Sequence, residues 1–285
     1  MNNCSLYDFR QIIDGEIKEV VFNYICSSGD SSGATDLINQ WVSDNTAQKI
    51  TKLIPFGVLT ALTRLVLVNA IYFKGDWQKK FDVADTKEEN FHVSSSETVR
   101  VQMMHKSKAK LWYGVNQDLN CQAIELPYSG DRLSMFVILP IDVEGLGKLE
   151  ASLTANDLLD VHERFRMQQR DVHVWLPKFK LDEKLGLTEI LAAMGLTDMF
   201  DMKSADFSGI DGTKELCVSK VLHQAVIDVN EEGTEAAAAT AVVMMIRCAP
   251  MHKDPFEFRA DRPFLFFIRD NLTNSALFLG RLVRP

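Results

Sequence analysis

The sequence has little of what marks the specialised protein classes. It carries 8 prolines and 15 glycines in 285 residues, with no Pro-rich linker, low-complexity tract or internal repeat. A collagen-like or wholly disordered chain is excluded, and one intertwined domain is favoured over two separable ones. No apolar run reaches the length of a membrane span; the longest candidate, Ala236–Ile246, is too short and contains Thr240. The opening residues, Met1-Asn-Asn-Cys-Ser-Leu-Tyr-Asp8, have neither a basic start nor an apolar block, so no signal peptide is visible. Positive charge is also scarce: 31 Lys and Arg face 39 Asp and Glu, a formal charge of −8. That balance argues against nucleic acid and anionic membranes as partners, since both need clustered cations.

Chemical signatures are equally thin. The five cysteines, Cys4, Cys26, Cys121, Cys217 and Cys248, are scattered and form no Cys-x-x-Cys pair. Neither a zinc site nor a disulfide framework is suggested. His162-Glu163 begins like the zinc motif H-E-x-x-H, but position 166 is Arg166. Gly145-Leu-Gly-Lys148 lacks the spacing of a phosphate loop, and there is no G-x-G-x-x-G. No metal or other cofactor is therefore expected. Gly29-Asp-Ser-Ser-Gly33 fits the G-x-S-x-G elbow of an esterase with Ser31 as nucleophile. Nothing ties an acid and a His to it, and a Gly/Ser loop before a helix is the better reading. Two sequons, Asn3-Cys-Ser5 and Asn271-Leu-Thr273, permit glycosylation in a secretory route.

What is present is an ordinary globular mix, 46% apolar and 25% charged, long enough for a substantial core. Ala34–Ile50 reads as a helix with Leu37, Ile38, Trp41 and Val42 on one face and Asp36 as its cap. Leu65–Phe73 is a continuous apolar run, as in a strand buried on both faces, interrupted by Asn69. Further strands are expected at 98–104, 110–115, 122–126, 133–139, 172–179, 218–229, 256–258, 263–268 and 276–282. Helices are expected at 156–167 and 185–194, the latter stopped by Gly195. Strands in runs with helices grouped between them predict an α+β fold.

One segment resists a plain reading: Glu231-Glu-Gly-Thr-Glu-Ala-Ala-Ala-Ala-Thr-Ala-Val-Val-Met-Met-Ile-Arg-Cys248. Its alanines suit a helix, and its acidic start suits a helix N-terminus. It equally suits a segment with two states. Gly233 permits a hinge, and small residues can enter a sheet without demanding a large cavity. As a strand, Thr234, Ala236, Ala238 and Thr240 face one side and Glu235, Ala237, Ala239 and Ala241 the other. Downstream, Arg247 suits the acidic primary pocket of trypsin-like proteases.

Here the sequence resembles the serpin family. The run Glu231, Glu232, Gly233, Thr234, Glu235, Ala236, Ala237, Ala238, Ala239, Thr240 matches the hinge of inhibitory serpins almost residue for residue. Leu67-Val-Asn-Ala-Ile-Tyr-Phe-Lys-Gly-Asp-Trp77 resembles the central strand with its Asn and Gly-x-Trp ending. Leu176-Pro-Lys-Phe179, Val221-Leu-His-Gln-Ala-Val226, Asp261-Arg-Pro-Phe-Leu-Phe266 and Phe278-Leu-Gly-Arg281 follow in the family's order. The match runs from about Gln11 to the end, with arthropod, tick-like serpins as the expected nearest kin.

The resemblance implies an α+β serpin-like fold over 1–285, with a large mixed sheet, further sheets, surrounding helices and an exposed reactive loop at about 231–255. It implies a suicide inhibitor, not an enzyme, acting without cofactor outside the cell, with the cytoplasm as the alternative because no signal peptide is visible. Its partner is a trypsin-like serine protease, held by a monomer in a covalent one-to-one complex. The family's usual hinge-to-bond spacing, counted from Gly233, implies an attacked bond at Arg247–Cys248, with Met244 or Met245 as the alternative for a chymotrypsin-like target. Asn69 and His223 correspond to the shutter over which the sheet opens. Trp77, Lys178 and Glu231 correspond to the breach at the sheet top. The family's N-terminal helices, threaded strand and signal peptide have no counterpart, so an N-terminally incomplete chain is expected, with Leu6–Val21 as the end of a helix leading into an edge strand. The competing reading is a product that is cleaved or merely binds, without trapping.

Overall fold

The computed structural model describes residues 6–13, 17–25, 31–60, 62–232 and 255–285, the first two spans as backbone only. In chain order the elements are β1 (Leu6–Ile13), β2 (Ile17–Ile25), α1 (Ser31–Asn45), β3 (Leu65–Phe73), β4 (Lys87–His92), β5 (Thr98–Asn116), β6 (Cys121–Pro127), β7 (Leu133–Pro140), α2 (Leu146–Ser152), α3 (Ala155–Leu159), α4 (Val161–Arg164), β8 (Gln168–Pro177), β9 (Phe179–Gly186), α5 (Thr188–Ala193), α6 (Ser208–Asp211), β10 (Val218–Val229), β11 (Phe256–Arg259), β12 (Phe264–Asp270) and β13 (Ser275–Leu282). They form the expected α+β fold, gathered into two compact units.

The first unit comprises Met1–Lys74 and Lys180–Asp228. Its mixed sheet has the order β1-β2-β3-β10-β9. β2 lies antiparallel to both β1 and β3, and β3 runs parallel to β10. The two-residue period of β3 explains its unbroken hydrophobicity. Val66, Val68, Ala70 and Tyr72 pack with Ala34, Ile38 and Val42 of α1. Leu65 and Leu67 join Val218, Val221, Leu187 and Leu191. Each face thus has its own cover, and burying Ile38 and Val42 completely contributes about 1.5–3 kcal/mol apiece.

The second unit comprises Gly75–Phe179 and Val229–Pro285. Its sheet runs β11-β8-β5-β6-β7-β12-β13, with β4 added on β5. All eight residues of β7 are buried. Leu149, Val161 and Phe165 from the short helices cover Cys121, Ala123, Phe136, Ile138 and Phe267. The chain comes close enough there to require glycine at 114: a Cβ would stand 2.1 Å from the Phe165 carbonyl oxygen.

Several boundaries differ from expectation. Residues 6–13 and 17–25 are two antiparallel strands, not a helix end; Ile, Val, Phe and Tyr dominate 17–25, the residue types that suit a pleated partner. Helix α1 begins at Ser31, so Asp36 lies inside it and is no cap. Its buried stripe is 34, 38 and 42, leaving Leu37 at 47% exposure. The two strands expected over 98–115 are one strand, β5, of 19 residues. An irregular register against β8 between Lys106 and Ala109, with Lys108 at φ 49°, absorbs the polar stretch without a break. The single helix expected over 156–167 is two, α3 and α4, the first opened by a Thr154/Asp157 capping box. Residues 185 and 186 belong to β9, so the next helix starts at Thr188. Gly195 does stop that region, at φ 100°.

Candidate functional site

Two of the three residue groups singled out in the sequence are described, and each is assembled from distant parts of the chain. The third, the loop, is not: Gly233, Thr234, Glu235, Ala236, Ala237, Ala238, Ala239, Thr240, Met244, Met245, Arg247 and Cys248 lie outside the described residues, as do Asn3 and Cys4.

The first group sits in the second unit, where the chain leaves β10. Three consecutive carbonyls there are taken by one short segment. Trp77 Nε1–H donates to Asn230 O at 2.9 Å. Phe81 N–H donates to Glu231 O at 2.9 Å, and Trp77 N–H to Glu232 O at 3.2 Å. Asn230 closes the turn with its own side chain, accepting from Glu232 N–H at 3.1 Å. The donors of this clamp are buried. Trp77 is stacked on Tyr128 with ring centroids 4.5 Å apart, and meets Phe81 edge-on at 6.2 Å.

Glu231 is 5% exposed. Lys178 Nζ stands 2.9 Å from its Oε2, and Thr86 Oγ1–H donates to its Oε1 at 2.8 Å. Burial pushes this carboxyl up. Hydrogen bonds from the Lys178 ammonium, the backbone and Thr86 outweigh burial and leave it below the usual carboxylate range. Its contribution to stability is therefore complete above the ordinary glutamate value, near 4.5, and is lost as pH falls through the lower folded value. The sequence singled out Trp77, Lys178 and Glu231, and the structure brings them together. It did not mark Thr86, Phe81 or Tyr128.

The second group lies in the first unit. β3 and β10 are parallel neighbours, and their register sets Asn69 opposite His223. His223 Nδ1–H donates to Asn69 Oδ1 at 2.7 Å. This bond ties β3 to β10, inside a ladder that runs from Leu65 to Phe73. On the same strand Gln224, 2% exposed, donates to Asp182 Oδ1 of β9. We expect Asn69→Ala to cost about 1–2 kcal/mol, the worth of a part-buried hydrogen bond. A lower urea midpoint at an unchanged slope would show it; an unshifted midpoint would remove this bond from the energetics of sheet closure.

The remaining candidates are placed as follows. Ser31 opens α1. Cys121 and Cys217 are free and buried, and burial pushes the Cys121 thiol up to about 12. Asn271 spends both amide hydrogens inward, on Asp131 O at 3.1 Å and Ser134 Oγ at 2.9 Å, and a glycan on that nitrogen would displace one of them. Among the described residues no cluster of His, Cys, Asp and Glu could hold a metal, and no helix is long and apolar enough to cross a membrane.

Comparison with known proteins gives the family and the fold. Leukocyte elastase inhibitor A of Rattus norvegicus is 45% identical over 259 residues, covering 90% of this chain and 67% of that protein. A serine protease inhibitor of Cyanea capillata is 43% identical over 256 residues, covering 90% and 66%. Uncleaved ovalbumin superposes with a TM-score of 0.78 at 36% identity, covering 90% of this chain and 64% of that one. The chain thus spans about two thirds of the length of the relatives it matches. Neither the tick-like affinity nor the N-terminal truncation expected from the sequence is supported by these matches, which include leukocyte elastase inhibitors of rat, cattle and human at 44–46% identity. The family pattern described as serpin (serine protease inhibitor) matches residues 8–285, and the chain belongs to that family.

Proposed function

We propose that this chain is a suicide inhibitor of trypsin-like serine proteases, attacked at Arg247–Cys248. The observation that carries the reading is the course of β10. It pairs in parallel with β3, ends at Val229, and passes through three clamped carbonyls into Gly233 and a run of small residues. A strand entering between β3 and β10 would run antiparallel to both and give each a complete ladder. In the proposed reaction the protease serine attacks the Arg247 carbonyl. The serine oxygen–carbon bond forms, the Arg247–Cys248 C–N bond breaks, and the new amine of Cys248 leaves with a proton. Residues from Gly233 onward then insert. Some 14 residues of strand carry the ester about 45 Å, and distortion of the oxyanion hole blocks its hydrolysis.

A second reading rests on the relatives named leukocyte elastase inhibitor. Val242, Val243, Met244, Met245 and Ile246 immediately precede Arg247, and an apolar-pocket protease would cut among them. Incubation with trypsin, chymotrypsin and elastase, followed by a denaturing gel and mass spectrometry, decides between them. The proposal expects a denaturant-stable adduct with trypsin, loss of it in Arg247→Ala, and a released peptide beginning at Cys248. An adduct with elastase alone, its peptide beginning before Cys248, would replace the trypsin-like assignment. Clean cleavage with no adduct would leave a family member that does not trap.

A further inference from the structure

A crevice of about 270 Å³ opens on the sheet of the second unit, with Glu125 and Ser134 as its floor and Gln78, Trp112, Pro127 and Gln169 around them. Strand register gathers these residues. Trp112 stands opposite Gln169 across β5 and β8, and Pro127 opposite Ser134 across β6 and β7. A space of that size takes about nine waters, or one six-membered ring with its substituents.

The floor is polar where a covered sheet face is ordinarily apolar. Glu125 and Ser134 are both buried. Ser134 Oγ–H donates to Glu125 Oε1 at 2.7 Å, and His162 Nε2–H to Oε2 at 2.8 Å. Burial pushes the Glu125 carboxyl up, but these hydrogen bonds outweigh it and hold the group below the usual carboxylate range. A carboxylate accepts about four hydrogen bonds, so each oxygen keeps a place for a further donor. The rim adds partners of both kinds. Lys110 brings an ammonium and Gln169 an amide, and among the described residues neither side chain has a hydrogen bond or ion pair. Asp131 accepts from the Gln78 amide with one carboxylate oxygen and keeps the other.

Lys110 at the rim and Arg269 beside Glu125 offset the charges of Glu125 and Asp131. The crevice therefore selects no net charge. Donors and acceptors side by side select a group that is both, which is the hydroxyl. Trp112, at 39% exposure, and Pro127 add apolar surface for a compact frame. We infer that this crevice binds one neutral pyranose sugar, its hydroxyls on Glu125, Asp131, Gln169 and Lys110 and its ring against Trp112.

The test is saturation-transfer NMR on the whole protein with glucose, galactose, mannose and N-acetylglucosamine, and with putrescine as a cationic probe. At least one sugar is expected to bind with a Kd of about 1 mM or tighter. Trp112→Ala and Gln169→Ala, both on the exposed rim, should each weaken it by about tenfold. Glu125→Gln, which keeps the shape and removes the charge, should weaken it at least as much. Urea midpoints for the two rim variants separate loss of the site from loss of the fold. No transfer from any of the four sugars would overturn the inference, as would binding that survives both rim substitutions. Transfer from putrescine with none from the sugars would also overturn it, making the crevice a site for an organic cation.

Discussion

Under the proposed mechanism, Thr234→Arg is expected to turn the chain from a trap into a substrate. Cleavage at Arg247–Cys248 should proceed at its usual rate, while the yield of stable adduct falls by about 100-fold or more. The reasoning is a competition between two clocks. In the proposed mechanism, insertion of the segment from Gly233 after acylation races against hydrolysis of the ester. Thr234 is the first side chain behind the hinge, on the face shared with Ala236, Ala238 and Thr240. A strand between β3 and β10 enters a sheet already covered on both faces. An arginine there must bury its charge or hold the strand out. A penalty of only about 3 kcal/mol slows entry by a factor of about 100. Thr234→Ser, which keeps size and polarity, should trap normally. Rapid cleavage with undiminished adduct in the arginine variant would show that insertion does not begin at this residue.

The second large effect is expected at Glu231→Lys. The substitution sets two ammonium groups where one pair stands at 2.9 Å and leaves the Thr86 hydroxyl facing a cation instead of a carboxylate. Breaking a buried pair costs about 3–5 kcal/mol, and the 39% exposure of the Lys178 side chain discounts this to about 2–3. Chemical denaturation should register the loss. Combining it with Lys178→Glu, which restores opposite charges, should recover more than half. If the double variant is no more stable than the single, the damage lies in packing rather than in charge. The wild type should lose the carboxylate's contribution as pH falls from about 4.5 through the lower folded value and Glu231 takes up a proton.

Much of this framework was legible because it depends on local pattern. β10 occupies the Val218–Val229 run anticipated from its composition, and β3 the Leu65–Phe73 run. Strand β5 read as two because Lys106–Lys110 is polar-rich; what keeps it continuous is its pairing with β8, some 65 residues on. Helices α2, α3 and α4 span 7, 5 and 4 residues, too few turns for a helical period to show. Among the site residues, Asn69, His223, Trp77, Lys178 and Glu231 sit inside family-like motifs. Thr86 and Phe81 do not, since each acts on Glu231 across about 150 residues of sequence, and Phe81 does so through its backbone N–H.

The clamp on residues 230–232 also has a consequence for the order of events at the ribosome. Trp77 and the carbonyl that receives its indole N–H are 153 residues apart. At about 5–20 residues per second, roughly 8–30 s of translation separates donor from acceptor. Tyr128, which stacks on the indole, is made long before. The donors that hold residues 230–232 can therefore be in place early. When Glu231 and Glu232 arrive, the Phe81 and Trp77 N–H groups that hold their carbonyls have long been made.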